Sequence, residues 1–274
     1  MDLLPPFDAN AAADDSADDG IIPVGFPSLT PLLHGGLRGG DLVVLGGDTQ
    51  AGTTSLALAL ALRASAMGAS TVVLSGESTP ARLFERALAA VSRVPLDALR
   101  RGELGDLMRA AVTDAAAHLR DHAPVMQRLD GEGVQALERA VDTVPAPRLL
   151  VVDGLESLVT EPQGRDDQLA WAVLAAKRLA LRHDVAILLV THFAAFDRRR
   201  PDLRPRLDDF GARGAIATHA DLVLGLFREE LYQRDLALAG AAELHLLKHR
   251  TGDTGYVDLY FEAPCLRFED VVED

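Results

Sequence analysis

Residues 42–55 read LVVLGGDTQAGTTS, and this stretch restricts the fold more than any other part of the chain. Val43, Val44 and Leu45 form a short apolar run of the kind that makes a buried β-strand. Gly46, Gly47 and Gly52 let the backbone turn tightly and come close to a ligand without Cβ clashes. After Thr54 the run SLALALALRAS is rich in alanine and leucine, which favours helix. A strand, a glycine loop and a helix in that order aim backbone N–H groups and the positive end of a helix dipole at one point, which suits a phosphate.

The phosphate-loop pattern G-x-x-x-x-G-K-[ST] is met at Gly47, Gly52 and Thr54, with Thr53 in the lysine position. The candidate nucleotide-binding residues are therefore Gly47, Asp48, Thr49, Gln50, Ala51, Gly52, Thr53, Thr54 and Ser55. A threonine hydroxyl is too short to reach the β- and γ-phosphates and carries no charge. Losing one strong contact to developing charge costs roughly 3–4 kcal/mol of transition-state stabilisation. Nucleotide binding is thus expected to outlast efficient hydrolysis. The plain alternative is an ordinary strand–turn–helix corner.

The chain has 274 residues, of which 48% are hydrophobic, enough for one large α/β domain or two small ones. It has no apolar run near the ~20 residues that span a membrane and no signal peptide with a basic start. The single Cys265 excludes an internal disulfide and fits a reducing cytosol, where it reads as a small half-buried apolar residue. A formal net charge of −14 argues against loose, non-specific nucleic-acid binding but leaves room for a local basic patch. Lysine occurs only at 177 and 248; arginine supplies the other side-chain cations.

Residues 1–20 hold six aspartates and no Lys or Arg, and read as a disordered acidic tail ahead of one domain over 21–274. Strands are expected at 41–46, 71–74, 148–152, 185–190 and 222–227, and helices at 54–67, 79–91, 95–122 (broken at Gly102 and Gly105), 133–143 and 168–183. Thr79 is the expected N-cap and Pro80 a first-turn residue. Trp171 and the alanines around it are expected to pack on the sheet. Continuous apolar strands alternating with helices imply a mainly parallel sheet covered on both faces. Two late strands, 242–248 and 256–261, joined by a short turn, look like an antiparallel extension.

Asp153 ends an apolar strand, at the sheet edge where ligands bind. A carboxylate there suits Mg2+ opposite the Thr54 hydroxyl, or else serves as a turn Asp. Glu77 also ends a strand, where it is placed to polarise an attacking water or to sit as a solvated loop residue. His192 ends the strand at 185–190 and reads as a γ-phosphate sensor or a structural histidine. The loop from 197 to 213 gathers six arginines, Arg198, Arg199, Arg200, Arg204, Arg206 and Arg213, and suits nucleic-acid phosphates or plain solvation. Lys248 and Arg250 alternate along a strand and so share one face. They read as arginine-finger-type groups for a neighbouring subunit's site, or as a salt-bridged surface pair.

Over about residues 21–268 the chain resembles the C-terminal ATPase domain of DnaB-type replicative helicases. The segments that carry the resemblance are IPVGFPSLTPLLHGGLRGGDLVVL, SGESTPARLFERALA, RVPLDALRRGEL, LLVVDGLESL, RPRLDDFGARGAIATHADLVLGLFREELY and LLKHRTGDTGYVDLYF. The RadA and KaiC branches of the same superfamily share the GGD opening of the loop and the SGE segment. The resemblance implies a RecA-like P-loop NTPase fold of α/β class, with ATP and Mg2+ as cofactors. It casts Thr54 and Asp153 on the metal side, Glu77 as the catalytic glutamate, and His192 where those helicases usually carry a γ-phosphate-sensing glutamine. Lys248 and Arg250 match a cationic pair supplied across a subunit interface, in a hexameric ring by family habit. The 204–216 segment, with Arg204, Arg206, Arg213 and Gly214, matches a loop that tracks single-stranded DNA.

The sequence also departs from that family's pattern. Thr53 replaces the loop lysine, and Gly211 and Ala212 stand where an Arg-Glu pair is common. The helical N-terminal domain that recruits primase has no counterpart in these residues. Two functions are left open: a cytoplasmic helicase-type ATPase acting on single-stranded DNA in replication or repair, and a weakly active or inactive paralogue that regulates or assembles other proteins.

Overall fold

The computed structural model describes residues 20–131, 133–159, 163–233 and 238–271; the expected acidic tail lies outside them except for Gly20. Strands are β1 (Ile21–Ile22), β2 (Leu37–Arg38), β3 (Leu42–Gly47), β4 (Thr71–Ser75), β5 (Val125–Arg128), β6 (Leu149–Asp153), β7 (Ala186–His192), β8 (Leu222–Phe227), β9 (Ala241–His249), β10 (Gly255–Glu262) and β11 (Arg267–Asp270). Helices are α1 (Leu29–Leu32), α2 (Thr53–Ala66), α3 (Pro80–Ser92), α4 (Leu96–Arg101), α5 (Asp106–His122), α6 (Gln135–Val141), α7 (Arg165–His183) and α8 (Ala215–His219). The nine-stranded sheet runs β11-β10-β9-β8-β3-β7-β6-β4-β5. From β8 to β5 every pairing is parallel, and β9, β10 and β11 extend the sheet antiparallel. The mainly parallel architecture with an antiparallel C-terminal extension is the one the sequence implies.

The period of two along the strands builds the two cores. On β3, Val43 and Leu45 join the core under α2, with Leu56 and Leu60. Leu42 and Val44 join the core under α7, with Ala172, Val173 and Ala176. Thr79 caps α3 as expected, its Oγ1 accepting the Arg82 N–H at 3.3 Å, and Pro80 opens the helix. The helical stretch at 95–122 breaks at Gly102, which ends α4 with φ of +68°.

Trp171 does not pack on the sheet. The stripe of α7 that faces the core is Leu169, Ala172, Val173, Ala176, Leu179 and Ala180, and Trp171 falls off it, 54% exposed. Cys265 is fully buried rather than half-buried, and burial raises its thiol to about 11. β5 and β11 escape a pattern reading because VMQR is a half-exposed edge strand and RFED has one apolar residue, the buried Phe268. Among the described residues, no helix is long and apolar enough to cross a membrane.

Candidate functional site

Four strand ends converge at one edge of the sheet. β3 ends at Gly47, β4 at Ser75, β6 at Asp153 and β7 at His192. The parallel register sets Ser75 beside Asp153 and Gly47 beside His192. α2 starts directly above this edge. Its N-cap, Gly52, has φ of +97°, a conformation that any side chain would strain. The first turn of α2 carries no acidic residue and no side-chain cap, so its free N–H groups are left for a ligand.

A hollow of about 320 Å³ opens beside the loop, lined in part by Gln50, Gly52, Thr53, Thr54, Ser55, Arg86, His192 and Arg228. Thr53 lines the hollow but is too short to reach across it as a lysine would, and it is only 5% exposed. A Cβ placed on Gly47 would come within 2.6 Å of Thr53 Cγ2, so glycine at 47 and the threonine are packed against each other. An uncapped helix end over a polar hollow suits an anionic group, and the cations that line the hollow are Arg86 and Arg228 rather than a lysine at position 53.

Asp153 is 2% exposed and both of its oxygens are occupied. Thr54 Oγ1 donates to Oδ1 at 2.8 Å, and Ser75 Oγ donates to Oδ2 at 2.8 Å. Ser75 Oγ in turn accepts the backbone N–H groups of Glu77 (3.2 Å) and Ser78 (3.0 Å), which fixes the turn that presents Glu77. Burial pushes the Glu77 carboxyl above its ordinary range, the Asp153 charge adds to the rise, and His192 partly counters it. Ligating atoms of Glu77, Glu156 and His192 lie within 4.8 Å of one another.

The loop is braced from outside. Asp48 is held by Arg198 at 2.8 Å to each oxygen and by the Tyr232 hydroxyl at 3.0 Å. Burial works against the Asp48 charge, but these donors hold its carboxyl below the usual range. Arg228, buried at 7% exposure, stacks 4.4 Å over the Phe261 ring and donates to the carbonyls of Gln50 (3.1 Å) and Ala51 (3.4 Å).

Lys248 and Arg250 lie at the opposite edge of the sheet, for Lys248 pairs with Val223 and Val43 pairs with Leu222 at the start of β8. Lys248 Nζ donates to the carbonyls of Ala217 (2.8 Å) and Ala220 (2.6 Å), at the end of α8. Arg250 Nε donates to Asp221 Oδ1 at 2.5 Å, and Lys177 Nζ donates to Asp221 Oδ2 at 2.6 Å. The pair is therefore remote from the phosphate loop of its own chain.

Much of the loop arginine charge is matched. Arg200 forms a two-pronged ion pair with the buried Asp209, Arg204 forms one with Glu243, and Arg213 meets Asp167 at 2.6 Å. Arg206 is 4.0 Å from Asp202. Ala212, Arg213 and Gly214 all have positive φ, so this corner holds three successive left-handed residues.

The phosphate loop, Asp153, Glu77 and His192 thus come together, and Lys248, Arg250 and the arginine loop stand apart from them. Sequence reasoning missed Ser75, Glu156, Arg228 and Tyr232, and it set Arg198 with the arginine loop whereas the structure pairs it with Asp48. Ser75 carried a usable signal, as the residue just before a strand-end Gly-Glu. The others act through long-range contacts that no local pattern marks.

Residues 21–270 match the family model described as DnaB-like helicase C-terminal domain. The chain is 28% identical over 261 residues to the replicative DNA helicase DnaB of Leifsonia xyli subsp. xyli (strain CTCB07), covering 91% of this chain and 56% of that protein. It therefore spans little more than half the length of that relative. Among solved structures, it is similar to a DnaB-like replicative helicase studied with primase, at a TM-score of 0.85 and 21% identity over 94% of this chain and 65% of that one. It is also similar to the ATPase domain of the protein G40P, at a TM-score of 0.83 and 20% identity over 93% and 94% of the two chains. These likenesses show the RecA-like fold.

Proposed function

Because the chain belongs to the DnaB-like helicase C-terminal domain family, we propose that it is a helicase-type ATP-binding domain that works on single-stranded DNA during replication, with hydrolysis slowed by Thr53. The observation that carries this reading is the chain of hydrogen bonds from Thr54 through Asp153 to Ser75 beneath an uncapped helix end. It holds the hydroxyl and the carboxylate that phosphate-loop enzymes use in contact, and it orients the turn that carries Glu77.

The residues of this chain divide the work. N–H groups at the start of α2 bind the phosphates. Thr54 and Asp153 would hold Mg2+, which when bound neutralises charge on the phosphates. Glu77 accepts a proton from the water that attacks the γ-phosphorus, as the bond from that phosphorus to the β–γ bridging oxygen breaks. Its raised pKa makes it a stronger base than an ordinary glutamate carboxylate. His192, beside Gly47, faces the same end of the site. Lys248 and Arg250 serve a neighbouring copy, which requires a head-to-tail ring. Arg206 and Arg213, with Gly214, present the DNA-facing corner.

A second reading, a regulatory paralogue without turnover, is favoured by one observation: the side chain at 53 is short and buried. ATP turnover measured with Mg2+ and single-stranded DNA separates the two. Turnover that disappears in Glu77→Gln supports the ATPase. Turnover absent from both the wild type and Thr53→Lys, with nucleotide still bound, supports the regulator.

A further inference from the structure

We propose that Glu77, Glu156 and His192 form a binding site for a transition-type divalent cation such as Zn2+, separate from the Thr54–Asp153 pair. Three ligand atoms, one from each side chain, lie within 4.8 Å of one another. Bonds of about 2.0–2.1 Å in a tetrahedral site place ligands ~3.4 Å apart. The three groups therefore need to draw in by little more than 1 Å.

The site is partly built already. Glu156 sits in the single turn Leu155–Leu158 that follows Gly154, whose φ is +101°. Its Oε1 accepts from the Thr191 hydroxyl at 2.7 Å and from the His192 N–H at 3.2 Å, which ties it to the end of β7. Its Oε2 is buried and has no hydrogen-bond partner. A desolvated carboxylate oxygen without a partner is costly, and a cation is the partner its charge calls for. Glu77 and His192 are both exposed at the strand ends, so the Glu77 side chain has room to close on an ion.

The donor set selects the ion. An imidazole with two carboxylates suits Zn2+ and its neighbours, whereas Mg2+ prefers oxygen ligands and keeps much of its water. Three protein ligands leave one tetrahedral position open. Asp153 is not a fourth ligand in this arrangement, since it is not among the residues whose ligand atoms cluster, and it stays with Thr54. Nothing in the assignment depends on nucleotide binding.

A rival pair for the same ion is His118 and His122, one turn apart on α5 with stacked rings 4.7 Å apart. The experiment therefore includes it. Metal-stripped full chain, without nucleotide, is titrated with Zn2+ by calorimetry and with Co2+ by visible absorption. One saturable site per chain with tetrahedral Co2+ bands is expected. Affinity should fall at least tenfold in His192→Ala, in Glu156→Gln and in Glu77→Gln, and stay unchanged in His118→Ala. Glu77→Gln alters an exposed side chain and keeps the test valid where another variant fails to fold. Absence of saturable binding overturns the proposal. So does binding that survives all three substitutions, or binding that is lost in His118→Ala.

Discussion

Thr54 and Asp153, 99 residues apart in sequence, share a 2.8 Å hydrogen bond. The bond joins the first turn of α2 to the end of β6, so the helix that would hold a phosphate is fastened to the strand that would hold a metal. Thr54→Val keeps the shape and removes the donor, leaving one oxygen of a buried carboxylate without it. We expect a loss of about 1–3 kcal/mol in stability, read by denaturant unfolding. Binding of a fluorescent ATP analogue should at the same time lose its dependence on Mg2+.

Thr53→Lys restores the one missing cation. Thr53 is packed against Gly47, so a longer side chain has to leave that contact and lie over the loop toward the hollow. Removing a single donor to developing charge typically lowers kcat by about 100- to 1,000-fold. Adding one back should raise ATP turnover by up to about 100-fold. A rate equal to that of the wild type would place the cause of slow hydrolysis elsewhere.

Glu77 links pH to both stability and turnover. Its folded pKa is raised above the ordinary 4.5 by burial, and then by Asp153. A raised folded pKa means that the folded state holds the proton more tightly than the unfolded chain. The stability this gives is fully present below the unfolded pKa and is lost as pH rises through the folded one. Glu77→Gln should therefore match the wild type in Tm at acidic pH and exceed it at neutral pH. Turnover should show the opposite trend, falling in the wild type as pH drops through that same pKa and staying abolished in the variant.

Legibility in the sequence followed the range of the forces involved. Leu42 to Gly47 and Leu222 to Phe227 are continuous apolar runs, and both form strands at or within one residue of their expected bounds. Thr79 and Pro80 mark a helix start by local chemistry alone, and the cap is there. Trp171 misled because side-chain type was weighed above helical phase. At the site, Gly47, Thr54 and Asp153 are legible because glycine freedom and strand-end placement are local properties. Glu156 and Arg228 are not, since their partners, Thr191 and the loop carbonyls, are 35 and nearly 180 residues away.

The arginine loop should divide in a DNA titration. Arg204 is held in a two-pronged pair with Glu243, at 2.8 and 2.6 Å. Arg206 is loosely placed, 4.0 Å from Asp202, and Arg213 pairs with Asp167 where both side chains are more than 60% exposed. Exposed pairs of that kind are worth little and exchange readily for phosphate. Arg206→Ala and Arg213→Ala should each weaken single-stranded DNA binding and reduce the salt slope by about 0.7. Arg204→Ala should leave that slope unchanged. Fluorescence anisotropy at a series of salt concentrations measures all three.

Asp221 is the anchor of the opposite edge. It is 7% exposed and accepts from the Leu42 N–H at 2.8 Å, from Lys177 at 2.6 Å and from Arg250 at 2.5 Å. Burial works against its charge, but the Leu42 N–H and the two cations outweigh it and hold the carboxyl below 3.8. A depressed folded pKa gives stability that is present above the unfolded value and is lost as pH falls through the folded one. Asp221→Asn leaves the shape but strips two cations of their partner, and breaking a buried pair in this way costs about 3–5 kcal/mol. The deficit should be full at neutral pH and shrink below about pH 4, where the wild-type carboxyl also begins to protonate. Thermal unfolding from pH 3 to 8 checks the sign. A pH-independent deficit would mean that folding does not lower the Asp221 pKa, and that neither the Leu42 N–H nor the two cations favour its charged form.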